Sequence, residues 1–275
     1  MPINFTPNTD GWLYDREDFA TLLHALSPVQ NLRALRSIPF EAPEELDLRP
    51  WHVIENQGSM GSCVGSSGAS IVEVCNKIAT GDMDTQLSKW WCYRQSQMKG
   101  GITGDSGAML GDMMWVSDNL GVCKESTVPY PRSYSSAIPN KEAATIEAKE
   151  IVIQNHVDIR TYDDAFEFLS KGIGAIQIGI QWPGSWKNPS SPYLTSYPGG
   201  SGGHALMVCG YLNERDSEGY NWLTMPNTWS KNWADNGWAY LSRRCWNMMS
   251  ASRYFQAIGY SDMQVLRPRV PKFLM

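Results

Sequence analysis

The chain has 275 residues, of which 42% are hydrophobic, with a formal net charge of -5 and a pI near 5.4. That composition supplies a core for one large domain or two modest lobes and excludes global disorder. No cluster of Lys or Arg favours a nucleic-acid partner, no apolar stretch nears the ~20 residues of a membrane span, and the opening MPINFTPNTDGW has neither the basic start nor the apolar run of a secretory signal.

Residues 1–45 read as a lead-in, with a short helix over 16–26 and then Pro28, Pro39 and Pro43. From Cys63 to Ala79 apolar residues recur at helical steps (Ala69, Val72, Cys75, Ala79), and Gly81 is placed to stop that helix. Further helices are expected over 88–99, before a Gly pair, and over 107–119, before Gly121. TVPYPRSYSSAIP reads as a loop and 140–149 as a short helix. The second half changes character. IVIQNHVDI reads as a strand and YDDAFEFLSKG as an amphipathic helix. GAIQIGI, HALMVCGYL, YNWLTMPN and GWAYLS are strand-like runs bounded by Gly, Asn and Asp. A helical half followed by an antiparallel β half predicts an α+β fold of two lobes with a cleft between them. The expected divisions are a lead-in over 1–45, a domain over 46–262 (helical lobe about 46–150, β lobe about 151–262) and a tail over 263–275. No internal repeat or low-complexity tract interrupts this plan.

The six cysteines (Cys63, Cys75, Cys92, Cys123, Cys209, Cys245) form no CxxC pair, and the four histidines are scattered. No metal and no cofactor are therefore expected. Most of these cysteines are expected to act as small buried apolar residues. Without a secretory signal, a reducing cytoplasmic setting or residence in a particle fits best, with no disulfide.

The stretch NQGSMGSC, residues 56–63, is too rich in Gly and Ser for a simple turn. It ends on Cys63, where a helix begins. A helix N-terminus favours the thiolate and predicts a lowered pKa for Cys63. His204 opens a strand in GSGGHALMVCGY, and Asn227 ends another in MPNTWSKNWADNG. Hairpin-linked neighbouring strands would set the two side by side, with Asn227 accepting a hydrogen bond from one ring nitrogen and the other turned to Cys63. The Gln57 amide and the Cys63 backbone N–H would then make an oxyanion hole, and the glycines would let the loop bend to bring them to one carbonyl.

These blocks resemble the papain-like cysteine peptidases, family C1. NQGSMGSC is similar to that family's Gln-Gly-x-x-Gly-Ser-Cys, GGHALMVCGY to its His-Ala block, and NTWSKNWADNGWAYL to its Asn-Ser-Trp-Gly block. GWLYDREDF with LDLRPW resembles the bacterial and viral branch. The resemblance spans roughly residues 46–242 and implies a papain-like two-lobe fold and a thiol endopeptidase. It would act on polypeptides through Cys63, His204, Asn227 and Gln57 and an acyl-enzyme intermediate. It also implies that Ser106 and Gly107 hydrogen-bond the substrate backbone, with Ala108, Met109 and Ala205 at an apolar pocket, and that Trp229 and Trp233 shield the Asn227–His204 bond. Several residues depart from the pattern. Val64 stands for the usual Trp, and Gly203 for the Asn or Asp before the His. Thr228 and Ser230 replace Ser and Gly. Met60 stands for a Cys that in cathepsins pairs with another near Gly104, which is missing too. Residues 1–45 are shorter than the family's long inhibitory propeptide, so zymogen control is not implied. Two other readings stay open: a papain-fold structural or binding component of a phage or microbial particle, and a Cys-His amidase acting on cell-wall peptide.

Overall fold

The computed structural model describes residues 11–13 and 40–261. The helix expected over 16–26 and the tail over 263–275 lie outside them. In chain order the elements are β1 (Trp12–Leu13), α1 (Cys63–Thr80), α2 (Lys89–Lys99), β2 (Ala108–Met109), α3 (Leu110–Asn119) and α4 (Lys141–Ala148). There follow β3 (Asn155–Asp158), α5 (Tyr162–Ser170), β4 (Gly174–Trp182), β5 (Tyr193–Leu194), β6 (Gly202–Val208), β7 (Gly210–Arg215), β8 (Asn221–Pro226), β9 (Trp238–Leu241), α6 (Arg243–Ser250) and β10 (Gln256–Ser261). This is the expected α+β order, helices first and sheets after.

α1 is the hub. Its residues from Cys63 to Cys75, and Lys77, are buried, which a helix tolerates only when protein surrounds it on every side. Small residues in its first turns let its neighbours come close. A Cβ on Gly65 would lie 2.5 Å from the backbone nitrogen of Tyr93 in α2, and one on Gly68 would lie 2.6 Å from Met113 Cγ in α3. Gly81 ends the helix in the left-handed conformation (φ 77°), its N–H closing on the Lys77 carbonyl. The Ser88 hydroxyl accepts the Trp91 N–H at 3.0 Å and starts α2.

The β half holds two four-stranded sheets, ordered β3-β10-β4-β6 and β5-β9-β8-β7. The first is antiparallel throughout. In the second, β5 runs parallel to β9, so the lobe is not wholly antiparallel as expected. HALMVCGYL is not one strand: it divides at Cys209 into β6, which pairs with β4, and β7, which pairs with β8. The strand expected over 151–159 is shorter, because the Ile151 and Ile153 N–H groups bond to the Ala148 and Ser117 carbonyls instead of to a sheet. The helix expected over 107–119 begins at Leu110, because Ala108 and Met109 are extended and pair with β1. α6 and β10 were not anticipated, and β10 lies inside its sheet between β3 and β4.

One buried amide joins α1 to the first sheet. Gln177, in β4, donates from Nε2 to the Val64 carbonyl at 3.0 Å and to Ser67 Oγ at 2.8 Å, and its Oε1 accepts from the Tyr260 hydroxyl at 2.8 Å. Both Nε2 hydrogens and the Oε1 atom are thereby engaged, and the start of α1 is fixed against β4 and β10. The close approach at Gly65 gives a direct check. Gly65→Ala forces α1 and α2 apart and is expected to cost about 1–3 kcal/mol of stability, read as a lower urea midpoint. An unchanged midpoint would contradict this packing.

Candidate active site

The loop before α1 is stitched to the chain after β8. The Gln57 N–H donates to the Thr228 carbonyl at 2.8 Å, the Ser230 N–H to the Glu55 carbonyl at 2.8 Å, and Asn56 bridges to Trp229. Tyr130 adds a bond from its hydroxyl to the Gln57 carbonyl at 2.8 Å. The Gln57 side chain is oriented from both ends: Nε2 donates to the Met60 carbonyl at 2.8 Å, and Oε1 accepts from the Thr228 hydroxyl. One amide hydrogen of Nε2 remains for another acceptor.

Cys63 is the first residue of α1 and is wholly buried. Burial pushes its thiol up to about 12, against the backbone N–H groups of Ala205, Val64 and Cys63, which favour the thiolate; the Asp105 charge adds to the rise. The lowered thiol pKa expected from the helix N-terminus is therefore not met in this state, since loss of water outweighs the helix end. What lies over the sulfur is the chain's own Gly11, where a Cβ would stand 2.9 Å from Cys63 Sγ and 2.3 Å from the Gly61 carbonyl oxygen.

His204 is the third residue of β6 and is also wholly buried. Its Nε2 lies 2.9 Å from Asn227 Oδ1, which also accepts the Thr228 N–H at 2.8 Å. That oxygen can only accept, so Nε2 is the donor and Nδ1 carries the lone pair of the neutral ring. Nδ1 has no hydrogen-bond partner among the described residues. Burial lowers the imidazole to about 4, and the Asn227 bond opposes that fall. The two residues are not on neighbouring strands of one hairpin, as the sequence suggested. β6 belongs to the first sheet and β8 to the second, and they meet because the chain passes between sheets at Cys209, whose N–H bonds to the Thr224 carbonyl at 3.1 Å.

Aromatic rings enclose the imidazole. Trp229 lies at 4.9 Å between centroids, tilted by 34°, and Trp182 meets it edge-on at 4.8 Å. Trp233 stands one ring further out, edge-on to Trp229 at 6.4 Å, with its indole N–H on the Trp186 carbonyl at 2.9 Å. Trp182 was not singled out in the sequence, although it ends the apolar run of β4 opposite Gly202 at the start of β6.

Of the expected substrate contacts, Ser106 is exposed, Gly107 and Ala108 are buried, and Met109 is half-buried. Ala205 is buried opposite Gly179 in β4. The edge of β2 is already taken. β1 pairs with it in parallel, Trp12 opposite Ala108 and Leu13 opposite Met109, and the Ala108 N–H donates to the Gly11 carbonyl at 3.0 Å. Trp12 is buried against two glycines. A Cβ on Gly179 would lie 2.4 Å from Trp12 Cε2, and one on Gly203 would lie 2.2 Å from the Trp12 carbonyl oxygen. The departure at Gly203 thus makes room for this segment. Residues 11–13 of the lead-in, which the sequence did not tie to the site, supply its cover.

All six cysteines are buried and unbridged. Among the described residues no group of three or more His, Cys, Asp or Glu side chains could hold a metal, and no helix is long and apolar enough to cross a membrane.

The family described as papain family cysteine protease matches residues 42–256. The chain is similar to zingipain-2 of Zingiber officinale, at 26% identity over 213 residues, covering 75% of this chain and 90% of that protein. It is similar to cysteine protease XCP2 of Arabidopsis thaliana, at 25% over 191 residues, covering 69% of this chain and 51% of that protein, so it spans about half of the latter's length. Among solved structures its fold matches that of xylellain, a cysteine protease from Xylella fastidiosa, with a TM-score of 0.75 at 18% identity, covering 95% of this chain and 98% of that one. It also matches proCathepsin B S9 from Trypanosoma congolense, with a TM-score of 0.68 at 16% identity, covering 93% and 86%.

The buried thiol yields a measurable pH dependence. Burial disfavours the thiolate, so removing the cover must lower the thiol pKa. Trp12→Ala in the full chain is expected to bring the pH midpoint of Cys63 alkylation by iodoacetamide down by about one unit or more. Peptide mass mapping against pH measures it, and an unmoved midpoint would contradict burial under the N-terminal segment as the cause.

Proposed function

The chain belongs to the papain family of cysteine proteases, and on that footing we propose that it hydrolyses peptide bonds with Cys63 as nucleophile, His204 as base and acid, Asn227 as the residue that orients the ring, and Gln57 as oxyanion donor. The observation that carries this reading is the Asn227–His204 bond. With Nε2 engaged by Asn227 Oδ1, Nδ1 is the nitrogen left to exchange protons. Nδ1 takes the thiol proton to form a thiolate–imidazolium pair, Cys63 Sγ attacks the substrate carbonyl as the thiolate, and the imidazolium then gives that proton to the leaving amine. The free hydrogen of Gln57 Nε2 and the Cys63 N–H receive the developing oxyanion. Water activated at the same nitrogen then releases the acyl group. Trp229, over the imidazole, keeps water from the Asn227–His204 bond, and Trp233 supports Trp229.

The described state is latent in this reading. Gly11 lies over the sulfur and β1 occupies the edge of β2 that a substrate strand would use. Segment 11–13 must leave before a peptide binds, and a solved relative of the same fold is titled proCathepsin B. Departure readmits water, which lowers the thiol pKa and raises that of the imidazole until the thiolate–imidazolium pair forms. The pocket that holds Trp12, built on Gly179, suits an apolar substrate side chain two residues before the scissile bond. Leu, Val or Phe there is preferred over Arg, since burying such a side chain contributes about 1.5–3 kcal/mol.

Peptide hydrolysis by the full-length Trp12→Ala chain tests the assignment. Its rate is expected to follow a bell in pH. Cys63→Ala should abolish turnover and His204→Ala nearly so. Gln57→Ala should lower kcat by about 10²–10³, with Asn227→Ala in that range or milder. Hydrolysis that survived Cys63→Ala in a folded protein would end this reading.

A further inference from the structure

Two loops meet as rims near Cys63: residues 56–62, which carry Gln57 and lead to it, and residues 104–107, which lead into β2. They touch directly, since a Cβ on Gly61 would lie 3.3 Å from the Gly107 nitrogen. No cystine joins them, because none of the six cysteines is in a disulfide. What joins them is one carboxylate. Asp105 Oδ1 accepts the Gly61 N–H at 2.9 Å and the Tyr93 hydroxyl at 2.8 Å. The Tyr93 oxygen accepts the Gly107 N–H at 3.2 Å in turn. One turn further along α2, the buried Gln97 donates from Nε2 to the Gly104 and Gly107 carbonyls at 2.9 and 3.0 Å. Gly65 meanwhile brings α1 against the backbone of Tyr93 itself. Both rims are thus referred to the same turn of α2, and Asp105 is the group that touches both.

We propose that Asp105 is a positioning residue, whose carboxylate clamps the loop bearing Gln57 and Cys63 to the loop bearing Gly107. It sets the distance between the oxyanion donors and the strand edge that holds a substrate backbone. What those groups do with a substrate rests on the function proposed above, but the clamp does not. One side-chain oxygen has two lone pairs, so Oδ1 accepts from the Gly61 N–H and the Tyr93 hydroxyl together and can hold two loops. A carboxamide would keep the accepting oxygen at the same place, whereas a methyl group would remove it. Tyr93→Phe cuts only the branch to Gly107 and leaves the Gly61 branch intact.

Amide hydrogen exchange on the full chain reads the clamp without any catalysis. Asp105→Ala is expected to speed exchange about tenfold or more in both 56–63 and 104–109, with Asp105→Asn close to the unmutated chain. Kinetics in the full-length Trp12→Ala chain then separate the two rims. Asp105→Ala should raise KM and lower kcat together, Tyr93→Phe should raise KM by about threefold or more with kcat nearly unchanged, and Asp105→Asn should preserve both. Unchanged exchange in folded Asp105→Ala overturns the clamp, as does an Asn variant as impaired as the Ala variant. If Asp105→Ala does not fold, Asp105→Ser, whose side chain is one bond too short to reach the Gly61 N–H and the Tyr93 hydroxyl together, decides: faster exchange in both 56–63 and 104–109 supports the proposal, and none overturns it. If the Trp12→Ala parent cleaves no peptide, the function reading fails while the exchange result still decides the clamp.

Discussion

The site depends on how the first turn of α1 is held. Its backbone cannot drift, because the Val64 carbonyl and the Ser67 hydroxyl are both fastened by the buried amide of Gln177, itself fixed by Tyr260. The glycine at position 65 presses the same turn against α2. This puts Cys63, from the helical half, beside the Ala205 N–H, from the β half. The other members follow from that seam. The loop before Cys63 is sewn to the chain after β8 by backbone bonds at Glu55 and Gln57 and by the contact of the Gln57 amide with Thr228. Asn227 is thereby brought to the same seam, where it takes the His204 ring.

Desolvation dominates the electrostatics. The helix end and three N–H groups favour a thiolate at Cys63, yet burial overrides them and leaves the thiol protonated. The same burial keeps His204 neutral, although its bond to Asn227 favours the charged ring. Under the N-terminal segment both partners are held uncharged, and water is the missing ingredient. Trp182 and Trp229 pack against the His204 ring, and a low-dielectric surrounding of that kind disfavours a charged imidazole. Gly11 and Trp12 cover the sulfur and the edge of β2, and the same burial holds the thiol protonated.

Much of this was legible in the sequence where the signal is local. Helical spacing after Cys63, Gly81 as a stop and the β-rich second half all announce themselves within a few residues. The blocks around Gln57, His204 and Asn227 mark residues that the fold does bring to one place. What escaped is non-local. Nothing near Trp12 reveals that it seats on Gly179 and Gly203, because the vacancy it fills is made by glycines far along the chain. The passage of one strand between two sheets at Cys209 likewise leaves no mark in HALMVCGYL. α6 did leave a signal, with Ser242 as N-cap and Cys245, Trp246 and Met249 on one face, and it lies just past the last recognised motif. β10 is a short buried run whose partners, β3 and β4, are far back in the chain, so no periodicity could place it centrally. The upward shift of the Cys63 thiol eludes a local reading for the same reason: the helix end is local, whereas the cover is not.

The central claim is that Cys63, alone among six buried cysteines, is a nucleophile waiting beneath a removable cover. Peptide mass mapping after exposure to an epoxide that alkylates thiol peptidases tests it most directly. The account predicts slow labelling of the full chain, fast labelling of full-length Trp12→Ala, and in both a single adduct at Cys63 that His204→Ala removes. Equal labelling of other cysteines, or no adduct at Cys63 once Trp12 is gone, would contradict it.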